Sequence, residues 1–156
     1  MGAEVSDLIY DWNAVERRSA VAMRGVSLLD ETLRDGIQNP SVVDPKISDK
    51  LEILHLLDEL GVEYADVGLP GSSPRAFDDV LRIAKEVVDC KMKIRLGCAG
   101  RTVVSDIAPM VEVSQRAGIP IEVMTFIGSS PIRAIAEDWS VELIRNRSIE
   151  AIDFGV

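Results

Sequence analysis

The stretch LLDETLRDGIQNP, Leu28 to Pro40, decides how the chain is read. It leaves a short apolar run, Val26–Asp30, of strand length, and at once places Asp30, Glu31, Arg34, Asp35 and Gln38 together with Gly36 among them. Surface loops are often polar, but an Arg-Asp-Gly corner beside a buried strand also has chemical uses. Asp35 is a hard oxygen ligand suited to Mg²⁺, Mn²⁺ or Zn²⁺. Arg34 carries a planar donor fork for a carboxylate, or for an oxyanion that develops during reaction. Gly36 allows tight backbone passage. On spacing alone, a strand-end ion pair on an ordinary turn explains the same residues.

Working outward, strand-like and helix-like segments alternate. Asp44-Pro45 predicts a helix start, with an acid at the N-cap and proline behind it. Ile47, Leu51, Leu54 and Leu57 recur at helical spacing, and Gly61 sits where a C-terminal cap belongs. Glu63–Leu69 reads as a second strand, Ser73-Pro74 opens a helix to about Val88, and Met92–Cys98 reads as a third strand. A helix over Val103–Ala117 closes at Gly118; Ile119–Ile127 is a fourth strand; a last helix spans about Asp138 to Phe154. Residues 1–24 show no clear period and read as an N-terminal extension with one short helix at Asn13–Ala22. Repeated strand–helix units with short loops predict an α/β fold, a parallel sheet covered by helices. Periodicity leaves two architectures open, a doubly wound sheet and part of an eight-stranded barrel.

The chain of 156 residues is 47% hydrophobic, which suits one folded domain and not a disordered segment. Its net charge of −9 argues against a nucleic-acid partner, which needs clustered cations. It has no run long enough for a membrane span and no secretory signal pattern. Its two cysteines, Cys90 and Cys98, are too few for a disulfide framework and lack metal-ligand spacing, so a cytoplasmic location is expected. An anionic substrate would meet a repulsive overall field, which leaves local recognition to Arg34, Arg101 and Arg133.

In parallel α/β folds sites form at the carboxyl ends of the strands. Collected there are Arg34-Asp35, the turn Gly68–Gly71, Cys98 to Arg101, and Thr125 to Ser130. GSSPRA at Gly71–Ala76 and GSSPIRA at Gly128–Ala134 echo one another. A serine N-cap followed by proline, used twice, accounts for both. An anion-binding helix start is the alternative, with Ser129-Ser130 and nearby Arg133 the better candidate.

DETLRDGIQNP resembles the first-strand signature of the metal-dependent acyltransferases and lyases built on a (β/α)8 TIM barrel, the family of 2-isopropylmalate synthase, homocitrate synthase and hydroxymethylglutaryl-CoA lyase. LLDELGVEYADVGLPGSSPRAFDDVLRIAKEV is similar to the second unit of the synthases. CAGRTVVSDIAPMVEVSQRAGIPIEVMTFIGSSPIR is similar to their third and fourth. The resemblance runs from about Val26 onward. It implies that Asp35 ligates a divalent metal (Mg, Mn or Zn), and that Arg34 is catalytic, binding a 2-oxo acid and stabilising charge on its oxygen. Gln38, Arg101, Ser129 and Arg133 would lie on the substrate side, Arg133 where relatives often carry a histidine.

The resemblance further implies acetyl-CoA as co-substrate and a Claisen-type condensation in leucine or related amino-acid biosynthesis, and the open sheet edges of a half barrel lead us to expect a homo-oligomer. Carbon–carbon cleavage of the lyase or aldolase kind is the rival on the same fold, and a non-catalytic, self-associating half barrel is a rival of another class. The H-x-H motif that completes the family's metal site is absent. The only histidine, His55, falls on a polar stripe with Ser48, Glu52 and Glu59 and reads as solvated. Four βα units are half of a barrel, so residues 25–156 are expected to be the N-terminal half of the catalytic domain.

Overall fold

The computed structural model describes residues 25–156; the extension and short helix expected within residues 1–24 lie outside them. Strands β1 (Leu29–Asp30), β2 (Tyr64–Asp66), β3 (Arg95–Arg101) and β4 (Ile121–Phe126) pair in parallel into one sheet of order β1-β2-β3-β4. Helices α1 (Ile47–Leu60), α2 (Pro74–Asp89) and α3 (Val104–Ala117) link successive strands, and α4 (Pro131–Glu137) and α5 (Val141–Gly155) follow β4. Consecutive helices also pack on one another, α1 on α2 and α2 on α3, with α5 against α3. Strand order therefore follows chain order with no reversal. A doubly wound sheet needs such a reversal, whereas a barrel adds each strand beside the last. The partial-barrel reading stands and the doubly wound one falls.

The core forms where the helices meet the sheet. On α2, Val80, Ile83, Ala84 and Val87 are buried at the three- and four-residue steps that line one face of a helix, and they meet Leu54 and Leu57 of α1 and Met110 and Val113 of α3. β3 is the central element, with Leu96 to Gly100 all buried. β1 and β4 are the sheet's two edges. Near them Leu28, Phe126, Ile132, Ile135 and Val141 are exposed.

Several boundaries differ from the sequence reading. β1 and β2 are shorter than their apolar runs, and β3 begins at Arg95, three residues late, because Lys93 and Ile94 donate their backbone N–H groups to Asp58 Oδ1 instead of to a strand. Asp44 does not cap α1, whose N-cap is Lys46 without a side-chain bond; the Asp44 carboxylate is held by Lys50 and Arg75. Gly61 and Gly118 end α1 and α3 in the left-handed conformation, as expected. The last helix, expected over about Asp138 to Phe154, is α5, which starts three residues later, and the short α4 before it is an element the sequence reading did not include. Asp138 closes α4 with φ 53°, and Ser140 then caps α5.

Candidate functional site

Leu33, 1% exposed, is driven into the core and fixes the corner after β1. Around it Asp30 closes an Asx turn on the backbone N–H and hydroxyl of Thr32, and the N–H groups of Arg34 and Gly36 both donate to the Glu31 carbonyl. Arg34 thereby points at the carboxyl end of β2. Its Nε donates to Asp66 Oδ2 at 3.0 Å, Nη2 lies 2.6 Å from Glu31 Oε2, and Nη1 lies 3.3 Å from Asp35 Oδ1. Gly36 needs no special freedom, since a Cβ there would meet nothing closer than 3.6 Å. The conformational demand sits at Gly68 instead, where φ is +132° and the N–H donates to Asp66 Oδ1 at 3.1 Å.

Asp66 is fully buried, and sequence reasoning missed it. Its signal was an acid inside the otherwise apolar run YADVGLP, where a carboxylate survives only with partners. Burial pushes its carboxyl above the ordinary range, against the opposing bonds from Gly68 and Arg34. For Arg34 burial pulls the other way, but Asp66, Glu31 and Asp35 together outweigh it and hold the guanidinium charged. Three carboxylates thus surround one guanidinium, leaving an excess of negative charge that suits a cation.

A cleft of about 250 Å³ opens beside this corner, and Arg34, Gln38 and the Gly68-Leu69 turn line it. Across the cleft stands a second polar group the sequence reading did not find. Lys50 is 6% exposed, and its Nζ lies 2.8 Å from both Asp44 Oδ1 and Asp79 Oδ2. Those acids outweigh burial and raise the Lys50 pKa. Its charge is matched within the protein. Arg75, the third cation on the cleft, pairs with Asp44 and Asp79, and Arg34, though engaged by three carboxylates, keeps two of its five N–H donors unpaired.

The remaining candidates divide. Asp35 is 70% exposed along its side chain and only weakly engaged by Arg34, so it keeps a free oxygen. Arg101 does not line the cleft: its backbone N–H, Nε and Nη2 all donate to the Asp106 carboxylate at 2.8–3.0 Å. Arg133 pairs with Glu137 at 3.2 Å and lies over the Trp139 ring. Ser129 is exposed and away from the cleft, and its neighbour Ser130 caps α4 by accepting from the Arg133 N–H. Ser73 does the same for α2 from the Ala76 N–H, so the echoed motif is a capping device in both places. His55 is not simply solvated, because its Nε2 lies 3.0 Å from Glu86 Oε1.

As a metal site the corner is incomplete. Asp35 brings one carboxylate, Glu31 and Asp66 are turned onto Arg34, and among the described residues the one group of three ligating side chains gathered within reach of an ion lies elsewhere.

A parallel (β/α) sheet in chain order is the architecture of a partial TIM barrel, and comparison with known proteins narrows the class. The chain belongs to the HMGL-like family, whose model matches residues 25–154. It is 34% identical over 134 residues to the 2-isopropylmalate synthase of Lysinibacillus sphaericus, covering 85% of this chain and 25% of that enzyme. Against the 2-isopropylmalate synthase of Shouchella clausii it is 36% identical over 138 residues, again 85% and 25%. Against that of Lactococcus lactis it is 33% identical over 110 residues, 70% and 20%. The chain thus spans about a fifth to a quarter of the length of the curated relatives it matches. No helix among the described residues is long and apolar enough to cross a membrane.

Proposed function

We propose that these residues form the N-terminal half of a 2-isopropylmalate synthase-like catalytic barrel, condensing acetyl-CoA with a 2-oxo acid, and that Arg34 is its first catalytic group. The observation that carries the reading is the fixed guanidinium. Asp66, Glu31 and Asp35 hold it from three sides at the carboxyl end of β1, with its free N–H donors beside the cleft. A donor fixed before the reaction stabilises an alkoxide more than the neutral carbonyl it grows from, and that difference is what accelerates the step. Gln38 lies on the same cleft wall and serves as a neutral donor or acceptor toward the oxo acid.

Asp35, with its free oxygen, would be one ligand of a divalent metal (Mg, Mn or Zn), which supplies Lewis-acid polarisation of the carbonyl in such chemistry. One carboxylate rarely holds such an ion against water, so the other ligands lie outside these residues. Arg101, Ser129 and Arg133 take secondary places, since Arg101 is clamped to Asp106 and Arg133 to Glu137. Leucine or related amino-acid biosynthesis in the cytoplasm is the setting this reading carries.

The test begins with the intact mass of the protein in its source, followed by an assay of CoA release from acetyl-CoA with a panel of 2-oxo acids. Release that depends on 2-oxoisovalerate or a close analogue supports the reading. Cleavage of a 3-hydroxyacyl-CoA instead would turn it to the lyase side. A source protein of 17.1 kDa with no turnover would leave a self-associating half barrel. The exposed Phe126, Ile132, Ile135 and Val141 around the β4 edge favour that second reading, because a paired copy would cover them.

A further inference from the structure

Away from the cleft, α1 and α2 bring together three side chains of different chemistry. His55 projects from α1, and Glu86 and Cys90 stand one turn apart at the end of α2. His55 Nε2 lies 3.0 Å from Glu86 Oε1, Cys90 Sγ lies 3.5 Å from the same oxygen, and the three donor atoms all fall within 4.8 Å of one another. Around a tetrahedral zinc ion, bond lengths of about 2.0–2.3 Å place neighbouring donors roughly 3.3–3.8 Å apart. The cluster therefore reaches that geometry with shifts small enough for side-chain rotation.

Its surroundings suit an ion as well. Arg82 Nη2 sits 2.7 Å from Glu86 Oε2, the outer oxygen, which fixes the carboxylate and leaves Oε1 facing the histidine and the thiol. Metal-bound carboxylates are commonly held this way from behind. Glu86 is 14% exposed along its side chain, while His55 is 43% exposed and Cys90 is exposed, so the open side faces solvent and has room for a water as the fourth ligand.

We infer that His55, Glu86 and Cys90 form a binding site for Zn²⁺ or a similarly soft divalent cation, joining α1 to α2. Binding releases the Cys90 thiol proton to solvent, and one thiolate with one carboxylate then balances the two positive charges of the ion. The thiolate and imidazole select zinc over Mg²⁺. The site is independent of the Asp35 corner and does not rest on the function proposed above. It ties together the two helices that carry Lys50 and Asp79, so an ion there stiffens one wall of the cleft.

Cobalt is the probe, because Co²⁺ bound to a thiolate shows a near-ultraviolet charge-transfer band that oxygen sites lack. The reduced 156-residue chain is titrated with Co²⁺ and then with Zn²⁺. The expected result is a band saturating at one ion per chain, with a Kd on the order of 10 μM or tighter, that Zn²⁺ abolishes. Cys90→Ser should remove the band, His55→Gln and Glu86→Gln should each weaken binding at least about tenfold, and Asp35→Asn should leave it unchanged. Far-UV circular dichroism checks that the variants fold, which the solvent-facing positions of Cys90 and His55 favour. No band, binding only at millimolar cobalt, a band that survives Cys90→Ser, or undiminished affinity in His55→Gln would each overturn the site.

Discussion

Arg34 and Arg101 occupy equivalent places, each at the carboxyl end of a strand beside a buried aspartate, yet they are built differently. Arg101 takes its partner from the next turn of its own βα unit. Asp106 sits five residues on, 3% exposed, and accepts from the Arg101 backbone, Nε and Nη2 together. That arrangement is a local clamp closing the loop between β3 and α3, with the rest of the guanidinium, 69% exposed, in water. Arg34 takes Asp66 from the neighbouring strand and spreads its other nitrogens toward Glu31 and Asp35, at 24% exposure and on a cleft wall. The same residue pair is a loop fastening in one unit and a positioned charge in the other. The difference lies in where the aspartate comes from.

The comparison is most exposed to failure in catalysis. In the CoA-release assay Arg34→Ala should lower kcat/KM by about 10²–10³-fold, the cost of losing one fixed oxyanion donor. Arg101→Ala should change it by less than about tenfold. Equal losses would mean that the clamp also reaches substrate and that the distinction between the corners is false.

Removing the aspartates tests the scaffolds. Asp66→Ala strands the Arg34 Nε–H and the Gly68 N–H, and should cost about 2–4 kcal/mol in urea unfolding. Asp106→Ala strands three donors of Arg101, but two belong to a solvent-exposed side chain, so about 1–2 kcal/mol is expected. Beyond stability, Asp66→Ala alone should lower kcat. If kcat stays at the wild-type value while stability falls, Asp66 holds the fold and does not orient Arg34.

The two aspartates should also respond to pH with opposite sign. Arg101 holds the Asp106 carboxyl below its ordinary value, so its contribution is present above the ordinary aspartate range and is lost as pH falls through the lowered value. Burial raises the Asp66 carboxyl, so its contribution is present below the ordinary range and is lost as pH rises through the raised value. Urea midpoints at pH 4 and pH 7 read this directly. Asp106→Asn should shrink the gain in stability from pH 4 to pH 7, and Asp66→Asn should enlarge it. Shifts of the same sign in both variants would break the contrast.

Much of this was legible in the sequence where one segment carries its own signal. The α1 stripe of Ile47, Leu51, Leu54 and Leu57, the two glycine stops and the Arg34-Asp35 corner are patterns within a few residues, and each appears in the structure. What stayed hidden depends on meetings between distant segments. Asp66 becomes a partner of Arg34 only when β2 lies parallel beside β1, and Lys50 is neutralised only when α1 meets Asp79 on α2. Asp44 shows the converse. Its spacing from the helix is that of an N-cap, but two cations from the tertiary fold claim the carboxylate first. Arg101 is the local exception: its position at a strand end reads as a place for substrate, and its partner Asp106 is only five residues on, but the residue spacing does not show the turn that brings the two together.

Arg133 gives the smallest expected effect and the sharpest check on that last point. Its guanidinium is more than half exposed, pairs with Glu137 one turn along α4, and lies 5.9 Å from the Trp139 ring. An exposed pair of this kind contributes about 0.2–1 kcal/mol, so Arg133→Ala should scarcely move the urea midpoint. If Arg133 belongs with Arg101 as a fastening of its own unit, kcat/KM should change less than about tenfold as well. A loss of 10²-fold or more with stability intact would mean that the side chain leaves Glu137 when a 2-oxo acid arrives. In that case the fourth unit, like the first, would supply a cation to the site, and exposure in the empty protein would mark readiness to move and not lack of function.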